Sequence, residues 1–385
     1  MFFFDRVPEV EPEALIAEAE RGEPVQVLDI RQPEAAARSA IELPAPARYL
    51  NLPGSRLVAL GDLSASGLDP ALPVAVVCGH GHSSRQVTTW LNRQGYSARS
   101  VEGGMARWAT TLIARDIAPP AGFDRVVQFD RVAKGALGYA VVAAGEALLV
   151  DVPRQPGRVL DEVAAAGARV VAVADSHCHA DYLSGGPALA RQLGLPYYLH
   201  PEDARDPYQG RPAKIPFTPL ADGQTIGVGG ARVEVLHTPG HTAGSVCFRL
   251  GDAALLSGDL LFVASIGRPD LAGRCAEWTA LLWSSLARAR AEWPDALEIL
   301  PAHYAGPGER RADQTVAARF GALRRSNPGL GFAEEREFAA WVAARCTDFP
   351  DAYRTLKTAN LGLVRLAEDE AEELESGRNQ CALAG

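Results

Sequence analysis

The sequence predicts two domains, an α/β domain followed by a domain of mixed α and β structure. The chain has 385 residues, which at ~100–200 residues per domain is enough for two domains and too few for four. A strand, a glycine loop and a helix come first, and a Pro-rich stretch at 117–122 separates them from short strands with glycine turns interleaved with helices. We therefore place the first domain and its linker at 1–122 and the second domain at 123–385.

The overall charge argues against a polyanionic partner. Lys and Arg total 38 against 47 Asp and Glu, a net charge of −9, so no diffuse positive field exists to hold a phosphate backbone. The start of the chain lacks the basic and apolar segments of a signal peptide, and no apolar stretch approaches the ~20 residues of a membrane helix. We expect a cytoplasmic protein with small-molecule partners, no nucleic acid and no membrane. The sequence leaves homo-oligomer formation open.

Of the six cysteines, only Cys78 lies in a context that favours reactivity. It ends an apolar strand that begins at Pro73, and the next residues lead into a helix from Arg85. This order directs amide N–H groups and the positive end of the helix dipole at the sulfur, which favours an anion and lowers the thiol pKa. The sequence therefore predicts a thiolate in an anion-binding loop of Gly79, His80, Gly81, His82, Ser83 and Ser84.

The first domain resembles the rhodanese family of sulfurtransferases. The segments that carry the resemblance are Val27-Leu28-Asp29-Ile30-Arg31, the Cys78 loop, and Val101-Glu102-Gly103-Gly104-Met105-Ala106-Arg107-Trp108. The resemblance implies a doubly wound α/β fold in which Cys78 passes sulfane sulfur between thiosulfate or sulfite and a thiol such as glutathione. The family's loop has an arginine where this chain has Ser83. Protonated His80 and His82 would restore part of that charge, and a non-catalytic accessory or sensor role is the alternative.

In the second domain, histidines and aspartates follow a predicted strand and several turns. The strand at 169–174 runs into Asp175-Ser176-His177-Cys178-His179-Ala180-Asp181-Tyr182. Residues two apart share a face in extended chain, so His177, His179 and Asp181 can converge as metal ligands. Further candidates follow in turn-like contexts at His241, Asp259, His303 and Tyr304.

These signatures, in this order, resemble the metallo-β-lactamase superfamily. The resemblance implies an αββα sandwich of two sheets with outer helices and metal at the sheet edge. A dinuclear zinc centre would use His177, His179 and His241 for one metal. The other metal would use Asp181, the residue at position 182 and His303, with Asp259 as a ligand shared by both metals. Position 182 holds Tyr182 rather than the family's usual histidine, and a phenol with a pKa near ~10 is a poor metal ligand at pH 7.

The remaining set of His177, His241 and Asp259 matches the iron ligands of the persulfide dioxygenase branch. Two imidazoles and one carboxylate hold non-haem Fe(II) and leave positions for substrate and O₂. We therefore expect one Fe(II) per chain, with zinc as the alternative. The residues that surround this centre or form an empty second site are His179, Asp181, Tyr182, His303 and Tyr304.

Arg268 lies in Gly267-Arg268-Pro269-Asp270, which is similar to a segment of the same branch. The resemblance implies that its guanidinium binds a glutathione carboxylate, and a structural pair with Asp270 is the alternative. The predicted function is oxidation of glutathione persulfide, or another thiol persulfide, with O₂ to sulfite, coupled to sulfurtransfer at Cys78. The direction of sulfur flow stays open. The alternative is a dinuclear zinc thioester hydrolase of the glyoxalase II type with an accessory or sensor rhodanese-like domain.

Overall fold

The computed structural model describes residues 7–60, 62–346 and 348–383, which form two compact units. The first unit contains the described residues up to Ile113, together with Arg131–Lys134 and Ser376–Arg378. The remaining residues belong to the second unit. The division falls earlier than the expected boundary at 122, because the strand Ile113–Ile117, which belongs to the second unit from Ala114 onward, is the edge strand of a sheet in that unit.

The first unit is built on a five-stranded sheet. Its strands are β1 (Glu9–Val10), β2 (Gln26–Asp29), β3 (Arg48–Asn51), β4 (Val74–Val77) and β5 (Ala98–Val101). Its helices are α1 (Pro12–Glu20), α2 (Pro33–Arg38), α3 (Gly54–Ala59), α4 (His82–Arg93) and α5 (Gly104–Thr110). The strand order is β1-β5-β4-β2-β3, and every neighbouring pair is parallel.

Both faces of this sheet are buried, as a parallel sheet requires. In β4, Ala75 and Val77 face one core and Val74 and Val76 face the other, because successive side chains alternate across a strand. Side chains of α1 and α5 complete the first core, and side chains of α3 and α4 complete the second. The predicted doubly wound α/β fold is confirmed.

The second unit contains two sheets. The first holds β6 (Ile113–Ile117), β7 (Arg125–Arg131), β8 (Ala136–Ala143), β9 (Glu146–Val150), β10 (Arg169–Ala174), β11 (Tyr197–Leu199) and β12 (Thr218–Pro219). The second holds β13 (Thr225–Val228), β14 (Ala231–His237), β15 (Val246–Leu250), β16 (Ala254–Gly258), β17 (Glu298–Pro301) and β18 (Ala318–Arg319). The helices are α6 (Gly157–Ala165), α7 (Gly186–Leu193), α8 (Cys275–Glu292), α9 (Phe320–Ser326), α10 (Glu335–Ala343), α11 (Asp351–Asn360) and α12 (Glu368–Leu374).

The two sheets pack face to face around one apolar core. Leu148 and Val150 of β9 share this core with Val235 of β14 and Phe248 of β15. On the outer side of the second sheet, α8, α9 and α10 cover a separate core, while α6 and α7 lie against the first sheet. This is the expected αββα sandwich. Across the described residues, no helix combines the length and the apolar character that crossing a bilayer requires.

Candidate functional site

Cys78 follows β4 directly and lies against the first turn of α4. Its Sγ accepts a hydrogen bond from the Gly81 N–H at 3.2 Å and lies 3.3 Å from the Ser84 Oγ. Burial raises the pKa of the Cys78 thiol, but the Ser84 hydroxyl and the amides of Ser84, His80 and Gly81 lower it more. The net pKa is below the ordinary thiol value, which favours the nucleophilic thiolate.

The loop around Cys78 is shorter than the sequence suggested. Helix α4 already begins at His82, so Ser83 and Ser84 belong to the helix, and Gly81 caps it in the left-handed conformation with φ +83°. Ser84 is fully buried beneath the sulfur, whereas His80, His82 and Ser83 are exposed. The structure therefore brings Ser84 to Cys78 through its side chain and leaves the side chains of the other three in solvent.

The Gly103-Gly104 pair, at the start of α5, explains how the Cys78 loop is held in place. Gly104 has φ +61°, and a Cβ there would lie 2.4 Å from the Cys78 carbonyl oxygen and 2.7 Å from the Gly81 nitrogen. Only glycine allows this approach. The Met105 N–H then donates to the Cys78 carbonyl oxygen at 2.8 Å. The start of α5 thus positions the reactive loop.

The metal-ligand candidates of the second unit lie in three buried clusters. The clusters are His177 with His241 and Asp259, Asp181 with His303 and Cys381, and Asp151 with Asp175 and His179, and within each the ligand atoms lie within 4.8 Å of one another. The three residues expected to converge, His177, His179 and Asp181, fall in three different clusters, although the His177 and His179 rings lie 4.3 Å apart. Strand β10 ends at Ala174, and the next residues run as bends instead of extended chain.

In the first cluster, three buried atoms converge without a hydrogen-bond partner. The His177 Nε2 lies 3.7 Å, and the His241 Nε2 3.3 Å, from the Asp259 Oδ2. None of these atoms has a hydrogen-bond partner among the described residues. Burying unpartnered polar atoms is costly, and one cation would satisfy all three at once. The predicted set therefore fits a metal ion.

Neighbouring groups fix how these histidines present their nitrogens. The His241 Nδ1 lies 2.9 Å from the Arg268 carbonyl oxygen. Because a carbonyl can only accept, Nδ1 carries the proton and Nε2 presents its lone pair to the cluster. The His177 Nδ1 lies 2.9 Å from the Ser176 Oγ, so this ring is also held from behind.

Burial and nearby charges set the protonation of the first cluster. Burial lowers the pKa of His177 well below its usual value, and it also lowers the pKa of His241 against the opposing effect of Asp259. Burial raises the pKa of Asp259, but the charges of His303 and His241 outweigh it, so the net pKa is lowered. Two neutral imidazoles and one carboxylate at pH 7 are the forms that bind a divalent ion.

His303 of the second cluster uses both ring nitrogens to join two carboxylates. Its Nδ1 lies 2.7 Å from the Asp259 Oδ1, and its Nε2 lies 3.1 Å from the Asp181 Oδ2. Burial lowers the pKa of His303, but these carboxylates raise it to about 10. His303 therefore braces Asp259 beside the first cluster in this structure. The buried Cys381 thiol comes from the C-terminal segment, which sequence reasoning did not connect with this site.

Tyr182 and Asp151 engage the Nε2 of His179, although the His179 ring lies 4.3 Å from the His177 ring of the first cluster. The His179 Nε2 lies 2.9 Å from the Tyr182 Oη and 3.1 Å from the Asp151 Oδ1, and the His179 and Tyr182 rings stack at 4.3 Å. Burial and the surrounding carboxylates raise the pKa of Tyr182 well above its usual value, so it is a neutral phenol. The residue that replaces the family's histidine is thus a hydrogen-bonding partner of His179.

Two other predicted residues have different surroundings from those expected. The Arg268 guanidinium binds both oxygens of Asp270, at 2.6 and 2.7 Å, and its side chain is only 5% exposed. The structural pair is therefore present, and Arg268 contacts the metal cluster through its carbonyl. The Tyr304 hydroxyl donates to Asp130 at 2.9 Å and does not belong to any of the three clusters.

Lys357 of α11 is a feature that sequence reasoning missed. Its side chain is buried, and its Nζ has no hydrogen-bond partner among the described residues. Its carbonyl oxygen accepts from the Cys178 Sγ at 3.8 Å, so α11 lies against the metal-binding segment. Burial is the main cause of the lowered pKa values of His177 and His241, and the positive charge of Lys357 adds to it. No local motif marks this lysine.

Comparison with known proteins identifies both domains. Residues 11–111 match the rhodanese-like domain, and residues 135–326 match the metallo-beta-lactamase superfamily. The chain therefore belongs to the metallo-β-lactamase superfamily and carries a rhodanese-like domain ahead of the superfamily domain. Together with the ligand clusters, this match indicates an enzyme fold that binds metal.

Relatives and solved structures agree with this assignment. An uncharacterized protein of Aquifex aeolicus is 31% identical over 185 residues, which cover 44% of this chain and 85% of that protein. A hydroxyacylglutathione hydrolase of Acidiphilium cryptum is 38% identical over 132 residues, which cover 34% of this chain and 51% of the hydrolase. The crystal structure of ETHE1 from Myxococcus xanthus has a TM-score of 0.51 at 23% identity, covering 65% of this chain and 98% of that chain. The structural similarity supports the fold.

Proposed function

We propose that the second domain oxidises a low-molecular-weight thiol persulfide, with glutathione persulfide as the expected substrate, and that Cys78 performs sulfurtransfer. The observation that carries the proposal is the convergence of unpartnered atoms from His177, His241 and Asp259. This set of two neutral imidazoles and one carboxylate suits Fe(II). When bound, iron supplies the redox step by which RSSH, O₂ and H₂O give RSH and sulfite.

The chain's own residues prepare this centre for an anionic substrate. Ser176 and the Arg268 carbonyl orient the two imidazoles, and His303 holds the second oxygen of Asp259. Lys357 provides a buried ammonium whose charge reaches both ligand histidines. Its Nζ lies 5.8 Å from the centre of the Trp278 ring and has no hydrogen-bond partner among the described residues. Burying such a charge is costly, and an incoming persulfide or departing sulfite anion would compensate it.

In the first domain, the Cys78 thiolate would attack the sulfane sulfur of thiosulfate, release sulfite as the S–S bond of thiosulfate breaks, and hold the transferred sulfur as a Cys78 persulfide. The amides of His80, Gly81 and Ser84, together with the Ser84 hydroxyl, stabilise negative charge on the sulfur. Transfer to a thiol then regenerates Cys78. Sulfurtransfer that is unchanged in Cys78→Ser would instead make this domain an accessory or sensor module.

An oxygen electrode tests the main proposal directly. The full chain, loaded with Fe(II), should consume O₂ when glutathione persulfide is added and form sulfite. Asp259→Asn should lower the rate by about 100-fold or more, because it removes the charge of a ligand. Asp222→Asn is the matched control, since Asp222 is a half-exposed surface partner of Arg288 and should leave the rate unchanged.

A dinuclear zinc thioester hydrolase is the second candidate. Asp181, His303 and Cys381 could together hold a second ion, and thiolate is a favoured zinc ligand. Relatives named hydroxyacylglutathione hydrolase, such as the 34% identical protein of Anaeromyxobacter dehalogenans, favour the same alternative. Two zinc ions per chain and thioester cleavage without O₂ uptake would establish the hydrolase.

A further inference from the structure

Two cysteines of the second unit are in contact although they are distant in sequence. Cys275 begins α8 and Cys346 follows α10, and their Sγ atoms lie 2.7 Å apart. Both are free thiols and partly exposed. A disulfide bond measures ~2.05 Å, so a small movement of the two side chains would join them.

The surroundings of this cysteine pair give a reagent access to it. Cys346 lines an open cavity of about 1030 Å³ that Asp270, Phe349 and Arg354 also line. The Arg268 guanidinium lies 5.8 Å from the centre of the Phe349 ring and binds Asp270. The cysteine pair therefore adjoins the Arg268–Asp270 contact, and the Arg268 carbonyl orients the ligand His241.

The contact between the two sulfurs decides what they can do together. Cys346 lines the cavity, and the Cys275 Sγ lies 2.7 Å from the Cys346 Sγ. A persulfide formed on either cysteine can therefore be attacked by the sulfur of the other.

We propose that Cys275 and Cys346 form a dithiol site that low-molecular-weight persulfides oxidise to an intramolecular disulfide. One of the two sulfurs attacks the outer sulfur of RSSH, which forms a cysteine persulfide and releases RSH. The other cysteine sulfur then attacks the Sγ of that persulfide, which forms the disulfide and releases H₂S. Two thiols and one RSSH thus give one disulfide, one RSH and one H₂S, and the sulfane sulfur is the atom reduced. The choice of a persulfide as oxidant rests on the proposed function.

The test uses the full iron-loaded chain with Cys78→Ser, so that the rhodanese-like domain cannot take up sulfane sulfur. The reduced protein is treated with glutathione persulfide without O₂, which excludes oxygenation at the metal centre. Peptide mass spectrometry should find a cross-link between the peptides containing Cys275 and Cys346, with about one H₂S released per chain. When Cys275→Ser or Cys346→Ser is added, the cross-link should be lost, and in at least one of these two variants the remaining cysteine should stay one sulfur atom heavier.

Several outcomes would overturn the inference. One is a protein that keeps both thiols after treatment with glutathione persulfide. Another is a cross-link that forms with glutathione disulfide but not with the persulfide, which would remove persulfides as the reagent class. A third is the absence of added sulfur from the remaining cysteine in both single-serine variants, which would mean that no cysteine persulfide precedes the disulfide. Because none of these readouts requires O₂, failure here and failure of the proposed oxygenation are separate results.

Discussion

At the scale of single residues, removing the charge of Lys357 should raise the stability of the protein and weaken substrate binding. The buried Lys357 ammonium lies 5.8 Å from the centre of the Trp278 ring but has no hydrogen-bond partner among the described residues, so its burial costs stability that a bound anion would offset. Lys357→Met keeps most of the side-chain volume and removes the charge. We expect the unfolding free energy to rise by about 1 kcal/mol or more. The KM for the persulfide should rise by about 10-fold or more, as for a lost contact to a charged group.

Denaturant unfolding and oxygen-uptake kinetics check this prediction. Lys357→Arg retains the charge and should restore most of the affinity lost in Lys357→Met. A methionine variant that is less stable, with an unchanged KM, would show that Lys357 has a packing role.

Ser84 tests the origin of the lowered Cys78 pKa. Ser84→Ala removes the side-chain hydrogen bond to the sulfur, so the pKa should rise. The reaction rate of Cys78 follows its thiolate fraction, which rises with pH and is half-maximal at the pKa. The midpoint of the rate-against-pH curve should therefore move to higher pH in the variant. Below that midpoint the variant should react more slowly, and at high pH the two rates should converge. Alkylation rates across pH measure the midpoint.

Ser83→Ala is the matched control for this measurement, because Ser83 is the exposed neighbour. A midpoint that is the same in Ser84→Ala and in the unaltered protein would show that the backbone amides alone set the Cys78 pKa.

At the scale of elements, the contact between the Cys78 loop and α5 depends on one glycine. Gly104→Ala would combine a left-handed backbone with a Cβ 2.4 Å from the Cys78 carbonyl oxygen. Gly95→Ala is the control, since Gly95 has φ +88° and no atom within 4 Å of an added Cβ. The control should lose about 1–2 kcal/mol for the left-handed conformation. Gly104→Ala should lose about 1–3 kcal/mol more from overpacking, together with sulfurtransfer. Equal losses of stability in Gly104→Ala and Gly95→Ala would mean that the Cys78 loop moves away from the added methyl group at no cost.

The strands and helices also indicate which parts of the fold and of the site can be predicted from the sequence. Strand β10 was predicted with the bounds observed, because its apolar run and its end are marked locally. The structure brings His177, His241 and Asp259 together, and it was the family resemblance that grouped these three distant residues. Asp151 and Asp175 could have been found from the strand ends, since each directly follows a strand. Lys357 and Cys381 could not, because only long-range packing of the C-terminal segment brings them to the site.

At the scale of the whole molecule, the two compact units each contain their own core and their own chemistry. We therefore expect Asp259→Asn to lower oxygen uptake by about 100-fold or more and to leave sulfurtransfer at Cys78 within about twofold, as for sites that share no partners. Assay of both activities on the same preparation checks this. Loss of both activities would contradict independent sites.

The metal content of the purified full chain tests the central claim most directly. Three convergent ligand atoms, with Tyr182 engaged by His179 and His303 engaged by two carboxylates, favour a single ion. Elemental analysis after anaerobic loading with equal Fe(II) and Zn(II) should find about one metal per chain, and the iron-loaded fraction should turn over glutathione persulfide with O₂. Two zinc ions per chain, and no reaction of the iron-loaded form with persulfide in air, would contradict the account.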